Sequence, residues 1–137
     1  MKRVLATVML VMMVGCGSPT EPGPFTQQVS GSVQAGVPLL GLAFYQPFDF
    51  TTSRAGALTL TLTWSTAADL DFYLTSSSCS SVTAFTSGSC TILSRSEGVN
   101  TTTERLTQTV TSGQALRYWV VNYASTAQNF TVTIDIR

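Results

Sequence analysis

From residue 56 to residue 74 the chain reads GALTLTLTWSTAADLDFYL, with apolar side chains at every second position through two successive runs. Leu58, Leu60, Leu62 and Trp64 share one side of an extended strand, while Thr59, Thr61 and Thr63 share the other. Leu70, Phe72 and Leu74 repeat the pattern against Asp69, Asp71 and Tyr73. A helix repeats every 3.6 residues and cannot sort this sequence onto one face, whereas a pleated strand with its period of two does. The stretch therefore predicts two half-buried antiparallel strands joined as a hairpin, with the rest of the chain supplying their partners. Leu60 and Leu62 are expected in the core.

Further segments follow the same rule. Residues 25–33 place Val29 and Val33 around Ser30-Gly31-Ser32 and read as a first edge strand. Residues 45–50 alternate, and Pro47 among them argues for an edge or a bulge, because proline has no N–H to give a ladder. Residues 91–94, 106–110, 115–123 and 130–136 complete about seven or eight short strands, separated by turns such as Ser112-Gly113-Gln114. No long helical period interrupts them. The fold class expected is all-β, an antiparallel β-sandwich.

The N-terminus is of another kind. Met1-Lys2-Arg3 is a short basic start and residues 4–14 are an apolar run, too short for the roughly 20 residues that span a bilayer. The run ends in Met13-Val14-Gly15-Cys16, which resembles the lipobox of bacterial lipoproteins. That resemblance implies diacylation of Cys16, cleavage before it and a membrane anchor. Gly17 follows Cys16 instead of the aspartate that marks inner-membrane retention, so the outer membrane is the favoured destination in the cell envelope. Residues 1–15 are then a lipoprotein signal peptide and residues 16–24 a lipidated Cys16 with a Pro/Gly tether. Residues 25–137 form the single domain.

Charge narrows the partners. Without Lys2 and Arg3 the remaining five basic residues face seven acidic ones, a balance of about −2. No broad basic surface exists for phosphate neutralisation, so nucleic acid is not an expected partner. Of three cysteines, Cys16 is assigned to lipid, which leaves Cys79 and Cys90 in an exported domain. A Cys79–Cys90 disulfide is expected, against the alternative of two unrelated buried thiols.

The order of these pieces resembles the bacterial pre-peptidase C-terminal domain over roughly residues 28–136. The resemblance is carried by residues 58–64, the Asp69-Leu70-Asp71-Phe72-Tyr73-Leu74 run, Glu104, Gly113, residues 118–123 and residues 130–136. It implies a jelly-roll-like sandwich and a non-catalytic domain, in a family whose collagen-binding relatives use calcium and a tyrosine-bearing sheet face. It also implies that Tyr118 and Val120 point inward, leaving Arg117, Trp119 and Tyr123 outward near Tyr73.

Two candidate sites follow. Asp69 and Asp71 lie two apart on one strand face and are candidate Ca²⁺ ligands, although calcium takes six to eight oxygens and residues 25–37 contribute no acid. They could equally be two solvated carboxylates. Tyr73, Arg117, Trp119 and Tyr123 form a candidate binding face if they are exposed, or a covered edge if loops pack over Trp119 and Tyr123. Catalysis is not expected. The chain has no histidine, and no lysine after Lys2, to serve a serine as base, and two aspartates on one strand cannot flank a substrate. The function expected is a non-catalytic envelope lipoprotein whose sandwich binds extracellular protein or polysaccharide. The alternative is an assembly accessory that docks on another envelope protein.

Overall fold

The computed structural model describes residues 23–137, so the signal-peptide and Cys16 lipidation readings, and most of the tether, lie outside the described residues. Eight strands form in chain order: β1 (Phe25–Val33), β2 (Phe44–Thr51), β3 (Gly56–Trp64), β4 (Leu70–Ser76), β5 (Ile92–Ser96), β6 (Thr103–Val110), β7 (Ala115–Asn122) and β8 (Gln128–Ile136). A five-residue helix, α1 (Val82–Thr86), lies between β4 and β5. The first sheet has the order β1-β8-β3-β6 and the second β2-β7-β4-β5, with antiparallel pairing throughout. This is the strand order of a jelly roll, and the all-β sandwich expectation holds.

The expected hairpin does not form. β3 pairs with β6 and β8, whereas β4 pairs with β5 and β7 in the opposite sheet. Each strand has a fully apolar inner face, and placing them in facing sheets lets those faces close on one another. The linker 65–69 arches across with Ala68 buried, its carbonyl accepting from Trp64 Nε1 at 3.2 Å and from Leu70 N at 3.1 Å. Thr66 Oγ1 donates to Gln128 Oε1 at 2.6 Å and pins the arch to β8.

The core lies between the sheets. Leu58, Leu60, Leu62, Leu74, Tyr118 and Ile134 are among its fully buried members. Tyr118 is its aromatic centre, stacked on Phe48 at 5.1 Å and edge-on to Phe72 at 5.7 Å. Burial pushes its hydroxyl up to about 12. β2 is an edge strand, as Pro47 requires, and β1 is the edge of the other sheet. Gly56 opens β3 with φ +148°, where a Cβ would run into the Arg137 carbonyl as the C-terminus passes.

The ends of the sandwich differ. The chain enters β1 beside the 52–55 and 111–114 turns. The loops 34–43, 65–69, 97–102 and 123–127 gather at the opposite end, as the strand registers dictate. Those four loops contain Asp69 and Glu97 but no lysine or arginine.

Candidate functional site

Register and pleat bring Tyr73 of β4 opposite Trp119 of β7, with Thr75 opposite Arg117 and Asp71 opposite Val121. All point away from the core, so the implied facing of β7 holds. The exposed aromatic platform is corrected: Trp119 is 0% and Tyr73 7% exposed. The connection 77–91 folds back over this face and forms a second, smaller apolar cluster. Ser81 caps α1 by accepting from Ala84 N at 3.1 Å. Helix formation there turns Phe85 inward, 4.8 Å from Trp119, 5.2 Å from Tyr73 and 5.7 Å from Tyr45 between ring centroids. The expected disulfide forms between Cys79 and Cys90, with an S–S distance of 2.08 Å, and ties the two ends of this strap.

Polar groups under the strap are satisfied. Trp119 Nε1 donates to Thr75 Oγ1 at 3.1 Å, and Thr75 Oγ1 donates to the Arg117 carbonyl at 3.3 Å. Arg117 forks onto Asp49, Nε and Nη2 each 2.7 Å from a carboxylate oxygen, and Nη1 donates to the Cys79 carbonyl at 2.5 Å. The guanidinium holds the Asp49 carboxyl below the usual carboxylate range, mainly through that hydrogen-bonded pair. Arg117 is thus a clamp between β2, β7 and the strap, with its guanidinium 5.8 Å over the Trp119 ring. Phe85 is the residue that sequence reading missed. Its signal was the apolar Val82 and Phe85 inside an otherwise Ser/Thr-rich segment bounded by the two cysteines.

Where the strap ends, the face becomes polar. The Tyr73 hydroxyl lies 2.7 Å from Glu97 Oε1 and 3.1 Å from Asp71 Oδ2. It has one hydrogen for two carboxylates. Burial raises the Asp71 carboxyl to about 6; the Tyr73 hydrogen bond opposes this, while the charges of Asp69, Glu104 and Glu97 reinforce it. Burial, the Glu97 bond and the Asp71 charge drive the Tyr73 hydroxyl far above its ordinary value. Tyr123 is pushed up to about 12, mainly by burial, beside Asp71 and Tyr45. Glu104 approaches from the interior, 3% exposed, where it accepts from Gly98 N; burial raises its pKa too. Arg95 reaches Glu97 at 3.7 Å, with both side chains about half exposed or more, and neutralises little.

Asp69 meets this cluster through its backbone, the carbonyl accepting from Tyr123 N at 3.0 Å. Among the described residues no three acidic, histidine or cysteine side chains come together to hold a metal ion. Asp71 accepts from the Tyr73 hydroxyl at 3.1 Å, while calcium takes six to eight oxygens.

Beside Tyr123 stands an apolar knob. Residues 37–42 fold into a closed turn around the single 3₁₀ turn Pro38–Leu40, locked by Val37 N to Leu42 O at 2.6 Å and Leu40 N to Val37 O at 2.9 Å. Gly36 N to Ala124 O at 2.8 Å and Asn122 Nδ2 to Gln34 O at 2.9 Å fasten it against the 123–127 loop. Gly36 permits this approach, since a Cβ there would meet the Asn122 carbonyl oxygen at 2.6 Å. The knob offers Leu39 (98% exposed) and Leu40 (70%) to solvent, with Val37, Leu42 and Phe44 around them.

A shallow depression of about 720 Å³ lies elsewhere, on the outer face of the first sheet between residues 30–32, 63–65 and 129–131. Serine and threonine residues, Asn129, Gly31, Trp64 and Phe130 line it, with no titratable group, so it offers nothing for acid–base chemistry.

No family model matches the chain, and no curated protein matches it. Solved structures do share its fold. The Yersinia pseudotuberculosis-derived mitogen superposes with a TM-score of 0.55 at 16% identity, covering 83% of this chain and 87% of that one. PliG of Aeromonas hydrophila, a periplasmic lysozyme inhibitor of g-type lysozyme, gives a TM-score of 0.51 at 12% identity, covering 84% and 89%. At such identities the likeness concerns the fold alone.

Proposed function

We propose that this chain is a non-catalytic binding module of the bacterial cell envelope that docks a partner protein through its loop end. In this reading the partner buries Leu39 and Leu40 in an apolar socket and brings a cationic side chain to Asp71, Tyr73 and Glu97. The observation that carries it is the single tyrosine proton between two carboxylates, at the same end of the sandwich as an exposed leucine turn, with no lysine or arginine in the loops of that end. A guanidinium or ammonium from outside supplies the missing positive charge, and burial of exposed leucines supplies apolar contact. The same lack of basic residues argues against a lipid surface as the occupant, since anionic headgroups would be repelled. A polysaccharide ligand is less favoured than a protein because Trp119 and Tyr73, the natural stacking platform, are covered.

The N-terminal lipobox supports attachment through lipid on Cys16, with residues 16–24 as tether, and the resemblance to the pre-peptidase C-terminal family supports a non-enzymatic role. Among the described residues no helix is long and apolar enough to cross a membrane. An accessory role on another envelope protein uses the same docking surface and differs only in the partner.

The test is a photo-crosslinking amino acid in place of Leu39 in the full chain expressed in its host, with the same substitution at Thr61 as control. A protein adduct at position 39 that is absent at position 61 and lost in Asp71→Asn is the expected result. Lipid adducts at position 39, or protein adducts indifferent to Asp71→Asn, would overturn the reading. Because one structural neighbour is described as an inhibitor of g-type lysozyme, such a lysozyme is the first purified partner to titrate.

A further inference from the structure

The jelly roll leaves four sheet edges, and three of them are guarded. β2 carries Pro47, which has no N–H, and Asp49 clamped by Arg117. β5 is five residues long, carries Arg95, and its pairing with β4 shifts register at Leu74/Thr75. β6 carries Glu104 and Arg105. These are the devices by which proteins discourage strand addition. β1 has none of them: its nine residues, FTQQVSGSV, contain no charge and no proline, and its register with β8 runs without a shift. Its outer row of N–H and C=O groups is unpaired by any strand.

The sequence of β1 is also symmetric in character about Val29. Turned end for end and laid antiparallel on itself, Val29 meets Val29, Phe25 meets Val33, and Thr26 meets Ser32. Gln28 meets Ser30, and Gln27 meets Gly31. Along the inner row Val29 and the Phe25/Val33 pairs set apolar on apolar, with Gln27 against Gly31 between them; the outer row sets polar on polar, and nowhere do like charges oppose. Phe25 and Val29 are only half-buried, as are Phe48 and Phe50 on the same side of the sandwich, so this side presents an apolar seam as well as an open ladder.

We infer that the β1 edge pairs with β1 of a second copy of this chain, joining the two first sheets into one continuous eight-stranded sheet across a two-fold axis. A strand from an unrelated protein could use the same edge, but only self-pairing makes use of the symmetry about Val29. The loop ends of the two copies then point in opposite directions, which leaves both docking surfaces free.

The experiment is sedimentation equilibrium of the full chain in detergent, with charges placed at the facing exposed positions 28 and 30. Wild type should be dimeric. The variant Gln28→Lys/Ser30→Lys sets lysine against lysine twice across the axis and should raise the dimer dissociation constant about tenfold or more. Gln28→Lys/Ser30→Glu makes each facing pair opposite in sign and should restore the dimer, a rescue that only this register provides. A wild-type monomer, a dimer indifferent to the paired lysines, or a Lys/Glu variant that fails to recover would each overturn the inference.

Discussion

The two outer faces of this sandwich are built from strands of similar length and the same period, yet they end in opposite environments. On the first sheet Thr59, Thr61, Thr63, Thr131 and Thr133 stand at or near solvent in register, Thr61 beside Thr133 and Thr63 beside Thr131. On the second, Tyr73, Trp119 and Val121 are buried beneath a strap. A threonine face favours the extended backbone and leaves its hydroxyls to water, so it needs no cover. An indole and a phenol do need one, and only the β4–β5 connection, which returns to its own sheet, is free to fold across them. The contrast teaches that the working surface lies at neither face but at the margin of the cover. There the Tyr73 ring is packed and its hydroxyl emerges between two carboxylates.

The sharpest way to break this contrast is to empty each face. Trp119→Ala should cost about 3–5 kcal/mol, and Leu60→Ala in the main core about 2–5. Thr61→Ala on the uncovered face should stay within about 0.5 kcal/mol. Urea unfolding of the three variants measures it. A Trp119→Ala cost no greater than that of Thr61→Ala would show that the strap is loosely held and the second cluster unimportant.

Next in size is the staple itself. The Cys79–Cys90 bond closes a loop with a sequence separation of 11, and on the chain-entropy model a loop of that order contributes about 3 kcal/mol. Cys79→Ser/Cys90→Ser should lower stability by about 2–3 kcal/mol and shift Trp119 emission to the red as water reaches the ring. If stability falls while emission stays put, α1 and Phe85 hold the cover unaided, and the disulfide acts only on the unfolded chain.

The alternation of leucines and threonines in β3 was enough to read strand, burial and facing, because period two admits no other element. The pairing of β3 and β4 was not legible. Which sheet a strand joins depends on the arch 65–69, and nothing local distinguishes that arch from a hairpin turn. The outward facing of Trp119 was legible through the family pattern. Its burial was not, because the covering residue, Phe85, sits in a segment whose serines and threonines read as loop. Of the candidate site, Asp71, Tyr73 and Tyr123 were singled out in advance, while Glu97 arrives just past the end of β5, whose pairing of Ser96 with Phe72 sets it there. The leucine turn had no reading in advance: no period places Leu39, Leu40 and Leu42 on a strand face, and they stand in solvent.

The smallest effect tests the site directly. The Asp71 carboxyl has its folded-state pKa raised from 3.8 to about 6, first by burial, so between roughly pH 4 and 6 the folded chain keeps a proton that the unfolded chain has lost. The unfolded state then binds fewer protons, and stability must fall as pH rises through that window and level off above it. Asp71 is only half-buried, and solvent screening limits the effect to about 1 kcal/mol. Asp71→Asn should therefore stabilise the fold at neutral pH by that amount and flatten the slope, as urea midpoints at intervals from pH 4 to 7 will read. A partner's cation should act in the other direction, favouring the ionised form, so binding should strengthen as pH rises through about 6 and release a proton from Asp71 when it forms below that value. A variant that gains stability and loses the partner marks a group retained for binding at the expense of the fold. One that loses stability at neutral pH would place Asp71 among the structural hydrogen bonds and leave the leucine turn as the docking element.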